Sequence, residues 1–253
     1  MADSVWVPIA SSAVASPRPR SRYPAIVRIT HWITTLCFLA LLLSGVEILI
    51  SHPRLYWGET GNVLTAPLLT FPIPASRQSV PTGYSYRLPD QNGWSRSLHF
   101  QSAWGVVLTG FLYITYGFLT GHFRQNLLPG RAGLSWQAFS KAIAEHVRFS
   151  RLTYSQAGSY NLLQRLTYLV VIFFLFPLVI WTGLAMSPAI ASVAPAAVSL
   201  LGGQQSARTI HFFVSVLLVL FLLAHIFMIC VAGFRSRMRA MITGHSATAM
   251  DKL

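Results

Sequence analysis

The sequence predicts an all-α integral membrane protein, folded as a bundle of four transmembrane helices. Hydrophobic residues make up 53% of the 253-residue chain and charged residues only 10%, with a mean hydropathy of +0.53. This composition is too apolar for a soluble domain. In addition, four apolar segments are each long enough to cross a hydrocarbon core of about 30 Å. They cover residues 25–50, 98–120, 162–186 and 210–233.

One membrane domain is expected over residues 25–233, between cytoplasmic tails at residues 1–24 and 234–253. The N-terminal tail is polar and contains Pro and Arg, and the apolar run that follows it is too long for the core of a signal peptide. The sequence between them has no convincing small-residue cleavage site. We therefore expect this tail to remain on the chain.

The distribution of Lys and Arg predicts how the bundle is oriented. An even number of spans places both termini on one side of the membrane. Only five of the 19 Lys and Arg residues lie in the connections on the opposite side, namely Arg54, Arg77, Arg87, Arg96 and Arg208. Because positive charges concentrate in cytoplasmic segments, we expect cytoplasmic termini and a long first periplasmic loop. The expected location is the bacterial inner membrane, with multiple passes.

The net charge of +13 has the same explanation. The basic residues flank apolar segments and do not line a face, so we expect membrane lipid and not nucleic acid as their partner. The segment SWQAFSKAIAEHVRF at residues 135–149 predicts an amphipathic helix on the anionic inner leaflet.

The first outer loop, residues 51–97, is rich in Pro, Tyr and Trp. Long loops of this kind are usually functional or disordered. Two interpretations are open: an ordered cap that forms a docking surface for a partner, or a loose linker with an aromatic belt at the interface. The second outer loop contains VAPAAVSLLGG at residues 193–203, which predicts a short helix over the outer surface.

The cysteines exclude several kinds of site. The chain has two, Cys37 and Cys230, and both lie in apolar segments. They cannot build a disulfide framework, a Cys-rich metal site or an iron–sulfur site. The sequence also has no CxxCH run, which argues against covalently attached c-type haem.

Two histidines in the fourth apolar segment suggest a cofactor. His211 and His225 are fourteen residues apart, which corresponds to about 21 Å along a helix and to within about 40° of one face. One helix could therefore hold two stacked cofactors. The alternative is that His211 lies at the interface and that His225 is a single hydrogen-bonded polar residue inside the bundle. Histidines at matching depths on other helices favour the first interpretation.

The predicted orientation gives each histidine a depth. His31 opens the first span on the cytoplasmic side, and His99 opens the second span on the outer side. The expected pairs are His99 with His211 on the outer side and His31 with His225 on the inner side. His52 is the one serious rival to His99 at the outer site.

Each pair can bind one haem iron through two neutral imidazoles. No coordination position then remains open, which favours electron transfer over oxygen chemistry. Zinc fits less well, because it requires three or four ligands in one cluster. We therefore expect two haem b groups as cofactors and no catalytic side chain.

Glycines and arginines near the expected haems add detail. Gly45 lies at the depth of the outer haem, and Gly110 and Gly117 lie toward the inner haem, where missing side chains would let a macrocycle approach. Ordinary small-residue helix packing explains each glycine equally well. Arg208 and Arg28 each precede a proposed ligand by three residues and are candidate partners for haem propionates. For Arg28, the positive-inside rule is an equally good explanation.

Four motifs resemble those of a known protein family. They are RITHW at residues 28–32, the HF and AW pairs within residues 99–104, YNLLQRLTY at residues 160–168 and RTIH at residues 208–211, which His225 follows. The chain resembles bacterial di-haem cytochrome b subunits of the cytochrome b561 superfamily, related to those of thiosulfate reductase, formate dehydrogenase and nickel-iron hydrogenase. The resemblance covers roughly residues 28–233. It implies iron ligation by His31, His99, His211 and His225.

Two further motifs refine the resemblance. TGLAMSP at residues 182–188 and HPRLYWGE at residues 52–59 look closest to members that accompany a molybdopterin-dependent oxidoreductase. The large Pro-rich outer loop departs from the shorter connections of the formate dehydrogenase type, so we carry over no partner contact from that type.

The resemblance implies an electron-transfer subunit of an oxidoreductase complex. Such a subunit connects the quinone pool to a periplasmic, molybdopterin-dependent oxidoreductase or another redox subunit. We expect quinone to bind near the inner haem, with His225, Tyr113 or Arg28 as contacts. Two alternatives are a stand-alone quinone-reducing cytochrome, such as a superoxide oxidase, and a membrane anchor that binds little haem.

Overall fold

The computed structural model describes residues 23–62, 64–73, 93–129, 140, 162–231 and 233–245. Four of its helices are long and apolar enough to cross a membrane, as the sequence predicts. These are α1 (Ala25–Ser51), α2 (Trp94–Leu119), α3 (Leu162–Ala185) and α6 (Gln204–Val231). Their outward faces carry exposed apolar side chains such as Leu36 and Phe111, which are 67% and 69% accessible. Such faces are stable in contact with lipid.

Helices α1 and α2 form an antiparallel pair. Thr34 and Thr109 share a hydrogen bond of 2.9 Å between their hydroxyl groups. One turn before Thr109, Gly105 allows α1 to approach α2 closely, because a Cβ atom at that position would lie 2.6 Å from Sγ of Cys37. In lipid, helices associate through this kind of small-residue packing and interhelical hydrogen bonding. The two contacts fix the register of α1 on α2.

Helix α3 is interrupted by a π-helical segment, Val171–Leu175. Pro177 follows it at the start of the next α-helical stretch. Proline has no backbone N–H, and its ring collides with the carbonyl group four residues earlier, which here belongs to Phe173. A wider π turn relieves this conflict. Within this segment α3 packs on α6 through a shared apolar core of Val171, Leu175, Val214 and Leu218.

The described part of the first outer loop is an ordered cap on the start of α6. Strands β1 (Arg54–Leu55) and β2 (Leu69–Thr70) pair in antiparallel fashion, and Leu55 and Tyr56 are almost fully buried. The carbonyl of Gly58 accepts the N–H groups of Gln205 and Ser206. The structure therefore supports the cap interpretation for residues 52–62 and 64–73.

Two short helices, α4 (Pro188–Val193) and α5 (Pro195–Ser199), lie between α3 and α6. They confirm helical structure in the second outer loop. The amphipathic helix expected at residues 135–149 falls, apart from Ser140, outside the described residues.

Helices α2 and α6 begin four and six residues before the predicted apolar spans. Their first turns contain polar residues that hydrogen bond as helix beyond the hydrocarbon core, so hydropathy alone does not detect them. For the same reason, the C-terminal tail contains a helix, α7 (Phe234–Thr243), which hydropathy does not reveal. Trp32 Nε1 donates to the carbonyl of Met241 at 3.2 Å, which ties α7 to the start of α1.

Candidate functional site

The bundle brings four histidines together as two facing pairs. The ring centroids of His99 and His211 are 6.2 Å apart, and those of His31 and His225 are 6.3 Å apart. These are the pairs that depth along the membrane predicts. On α6 the two sites are separated by about 21 Å.

These separations fit one metal ion between each pair of rings. With metal–nitrogen bonds of about 2.1 Å and ring nitrogens about 1.1 Å from the ring centre, two imidazoles on opposite sides of a metal have centroids roughly 6.4 Å apart. Within the described residues, no group of three or more His, Cys, Asp or Glu side chains could hold a metal ion. Two imidazoles alone are too few donors for a protein-only metal site, and such a pair would suit a haem.

Ser44 determines which nitrogen of His99 is free. Its Oγ lies 3.0 Å from Nδ1 of His99 and donates its single proton to the carbonyl of Ala40 at 2.7 Å. The Ser44 oxygen must therefore accept a hydrogen bond from the protonated Nδ1 of His99. Nε2 of His99 keeps its lone pair for a metal, as is usual for a ligating histidine oriented by a second hydrogen bond.

His211 is oriented in the same way from α3. Its Nδ1 lies 3.1 Å from the carbonyl oxygen of Val179 and 3.0 Å from Oγ1 of Thr182. A carbonyl can only accept, so Nδ1 carries the proton. Thr182 is fully buried, and its hydroxyl donates to Leu178. Nε2 of His211 is therefore also left for a metal.

A glycine follows each of these hydroxyl residues and contacts the same histidine. A Cβ atom on Gly45 would lie 3.6 Å from Cε1 of His99, and one on Gly183 would lie 3.5 Å from Cε1 of His211. The sequence places Gly45 at the depth of the outer haem, and Thr182 and Gly183 begin the TGLAMSP motif, but the sequence predicts no contact of Ser44, Thr182 or Gly183 with a histidine. One sequence pattern does point to these residues: a hydroxyl residue followed by glycine occurs in both the first and the third span.

Aromatic side chains surround the inner pair. The ring of His225 stacks on Phe221 at 5.6 Å and lies 6.2 Å from the ring of Tyr168. The ring of His31 lies 5.6 Å from Trp32. Among the described residues, none forms a hydrogen bond to either imidazole. Packing therefore orients the inner histidines, whereas hydrogen bonds orient the outer ones.

The other predicted residues have specific positions. Gly117 packs against the ring of Phe123, so this glycine faces an aromatic side chain of its own chain. A Cβ atom added to Gly110 would have no heavy atom of the described residues within 4 Å. Arg28 Nη1 donates to the carbonyl of Ile242 at the end of α7.

His52, the rival to His99, lies between two arginines. Arg208 Nη2 donates to the carbonyl of His52 at 2.6 Å, and Arg96 Nη2 lies 3.4 Å from Nε2 of His52. Burial lowers the pKa of His52, and the positive charges of Arg208 and Arg96 lower it further. The structure places His99, and not His52, opposite His211.

Comparisons with known proteins identify the family of the chain. The family model described as prokaryotic cytochrome b561 matches residues 22–244. A relative from Azospira oryzae (strain ATCC BAA-33 / DSM 13638 / PS), named putative protein-methionine-sulfoxide reductase subunit YedZ1, is 24% identical over 228 residues, covering 88% of this chain and 96% of the relative. No solved structure matches the chain. The chain belongs to the prokaryotic cytochrome b561 family and is a multi-pass electron-transport protein of the bacterial inner membrane that carries b-type haem.

Proposed function

We propose that this cytochrome carries electrons across the membrane between the quinone pool and a periplasmic oxidoreductase. Two b haems would serve as carriers, one held by His31 and His225 and the other by His99 and His211. The observation that carries the proposal is the presence of two facing pairs, 6.3 Å and 6.2 Å apart, on one shared helix. When bound, each haem would supply one-electron redox chemistry, with two histidines of this chain holding it.

The protein contributes orientation and charge. Ser44 and Thr182 orient the outer histidines through Nδ1, and the rings of Tyr168 and Phe221 pack against His225 of the inner pair. Arg208 and Arg28 are proposed partners for haem propionates, each three residues before an iron ligand. The excess of Lys and Arg on the side of the termini supports a cytoplasmic inner pair and a periplasmic outer pair.

Quinone is proposed to bind at the inner end of the bundle, near His225, Tyr113 and Arg28. The hydrogen bond between Thr34 and Thr109 fixes the antiparallel register of α1 and α2. In that register, Tyr113 is one turn beyond Thr109 and falls at the depth of His31. Its ring also contacts His122 at 6.1 Å, close to the end of α2. The phenol and the imidazole are groups that could exchange protons with a bound quinol.

The proposed partner is a periplasmic, molybdopterin-dependent oxidoreductase, as the resemblance implies. The name of the relative from Azospira oryzae refers to a protein-methionine-sulfoxide reductase. We therefore propose oxidised methionine in proteins as the first partner substrate to test. The ordered cap above the outer pair is the proposed docking surface.

The experiment uses the native complex, purified with a tag on this chain and placed in lipid nanodiscs. We expect quinol to reduce the haems and a methionine sulfoxide substrate to reoxidise them only when the partner is present. His225→Ala should abolish reduction by quinol, whereas His245→Ala, outside both pairs, should not. Full turnover by this chain alone would favour a stand-alone quinone-reducing cytochrome, and absence of b-type haem bands would leave only a membrane anchor.

A further inference from the structure

Helix α7 connects the inner ends of the two helices that carry the inner pair. It follows α6 after a turn at Gly233, where a φ of +99° favours glycine. Its ten residues extend over about 15 Å and reach the start of α1. Ala240, near the end of α7, is fully buried, so this end packs against the bundle. Helix α7 therefore joins the helix of His225 to the helix of His31.

Side chains of α1 donate to two carbonyl groups at the end of α7. The last carbonyl groups of a helix have no donor within the helix itself. Trp32 Nε1 donates to the carbonyl of Met241 at 3.2 Å, and Arg28 Nη1 donates to the carbonyl of Ile242. Arg28 and Trp32 are four residues apart and therefore lie one turn apart on the same side of α1. These two bonds fix the end of α7 on the first turns of α1.

The indole of Trp32 also contacts the imidazole of His31. The two ring centroids are 5.6 Å apart and the ring planes meet at 67°, an edge-to-face arrangement that is favourable for aromatic rings. No hydrogen bond within the described part of the chain restrains the ring of His31, and rotation of a histidine ring about its Cβ–Cγ bond has a broad energy minimum. Contacts with neighbouring side chains must therefore set its orientation. Besides His225, the ring that His31 faces, Trp32 provides such a contact.

We propose that Trp32 and α7 position His31 for the inner haem. The carbonyl of Met241 holds the indole of Trp32, and the indole holds the imidazole of His31 toward His225. This inference rests on the proposed function, in which His31 and His225 bind the inner haem. Trp32 is a positioning residue, because it acts through His31. Helix α7 thus has at the inner pair the role that buried hydroxyl groups have at the outer pair.

The first test is Trp32→Phe in the purified, haem-loaded protein. Phenylalanine keeps an aromatic ring beside His31 but removes the N–H that donates to Met241. We expect the low-spin ferric EPR signal of the inner haem to shift, because this signal depends on the angle between the two imidazole planes. The inner haem should also pass to apomyoglobin roughly tenfold faster. The outer haem should keep its wild-type signal and rate, which shows that the variant is folded.

Trp181→Phe is the matched control for this substitution. Trp181 Nε1 donates to the carbonyl of Ala197 at 3.1 Å, so the control removes the same kind of bond between an indole and a short helix. Trp181 lies at the opposite end of the bundle from Trp32. Its substitution should therefore leave the EPR signal and the release rate of the inner haem unchanged.

The second test changes α7 and leaves α1 intact. Ala240→Pro interrupts α7 directly before Met241, because proline removes a helical N–H group and collides with the carbonyl four residues earlier. This variant should reproduce the EPR shift of Trp32→Phe. Ser236→Pro, at an exposed position in the first turn of α7, where proline is tolerated, is the matched control and should keep the wild-type signal.

The outcomes separate the proposal from the proposed function. A wild-type inner signal in both Trp32→Phe and Ala240→Pro would overturn the proposal and leave α7 as a cover of the inner end. Equal loss of both haems in Trp32→Phe would also overturn it, because Trp32 would then support the whole bundle and not His31. A wild-type protein without haem at the inner pair would instead contradict the proposed function.

Discussion

Oγ1 of Thr182 and Nδ1 of His211 lie 3.0 Å apart, across the contact between α3 and α6. The same relationship joins Ser44 and His99 across the contact between α1 and α2. In both cases the hydroxyl group donates to a carbonyl one turn back in its own helix. It is therefore an acceptor for the imidazole. At the depth of the outer pair, α1 and α3 carry no proposed ligand. They instead orient the proposed ligands on α2 and α6.

Removing these acceptors should weaken the outer haem. We expect Ser44→Ala and Thr182→Val to reduce haem affinity at the outer site, by roughly 10- to 100-fold in the stronger case. The effect should be smaller for Thr182→Val, because the carbonyl of Val179 still accepts from Nδ1 of His211. Transfer of haem to excess apomyoglobin measures the affinity. Thr167→Val, which removes an exposed hydroxyl bonded to Leu163, is the control and should release haem at the wild-type rate.

The two glycines should tolerate a methyl group but not a larger side chain. A Cβ atom at Gly45 or Gly183 would make an ordinary van der Waals contact with a histidine ring, so Gly45→Ala and Gly183→Ala should bind the outer haem normally. Gly45→Leu and Gly183→Leu should displace the ring and lower outer haem content at least about fivefold, because extra methylenes force packed neighbours to move. Visible spectra of the reduced protein give the content. Normal spectra of both leucine variants would show that the glycines play no part in placing the rings.

Gly105 should be a position where a single methyl group destabilises the bundle. A Cβ atom there would lie 2.6 Å from Sγ of Cys37, so Gly105→Ala should cost about 1–3 kcal/mol. The double variant Gly105→Ala/Cys37→Ala should recover most of this loss, because the sulfur is removed. Unfolding of the four proteins in detergent, followed by circular dichroism, completes the double-mutant cycle. Additive effects of the two changes would contradict the contact.

His122 should make stability depend on pH. Burial lowers its pKa below the ordinary value of 6.5, and Nδ2 of Asn126 donates to its Nδ1 at 3.1 Å. The folded state therefore resists protonation of this ring, and the unfolded state does not. The stabilisation from the neutral ring of His122 is complete above pH 6.5. It is lost as the pH falls from 6.5 toward the lowered pKa that His122 has in the folded state.

The change that tests this effect is His122→Gln. Between about pH 7.5 and about pH 5.5 the melting temperature of the wild type should fall more than that of the variant. His245→Gln, at an exposed histidine on the same side of the bundle, provides the control and should retain the wild-type dependence. If the melting temperature of His122→Gln falls as steeply with pH as that of the wild type, His122 is not a source of the pH dependence.

The features that the sequence predicts well depend on local pattern. The four spans follow from apolar length, and the histidine pairs follow from helical rise combined with a common membrane depth. Neither step requires knowledge of which side chains touch. Membrane depth alone therefore pairs His99 with His211, although it also allows His52 at the outer site.

The features that the sequence does not predict depend on contacts between distant residues. Ser44 and Thr182 are ordinary small polar residues until the register of neighbouring helices places them against imidazoles. The fit of Gly105 to Cys37 and the docking of α7 on Trp32 likewise arise from packing between segments far apart in the chain. Gly117 is the opposite case: the sequence suggests a cofactor contact there, but the space left by its missing side chain is filled by the ring of Phe123.

The most direct measurement of the central claim is the haem content per chain of the purified wild type and of the four variants His31→Ala, His99→Ala, His211→Ala and His225→Ala. We expect two haems in the wild type and one in each variant, with identical remaining spectra for the two variants of each pair. His52→Ala should keep both haems. One haem in the wild type, or loss of a haem in His52→Ala but not in His99→Ala, would contradict the pairing.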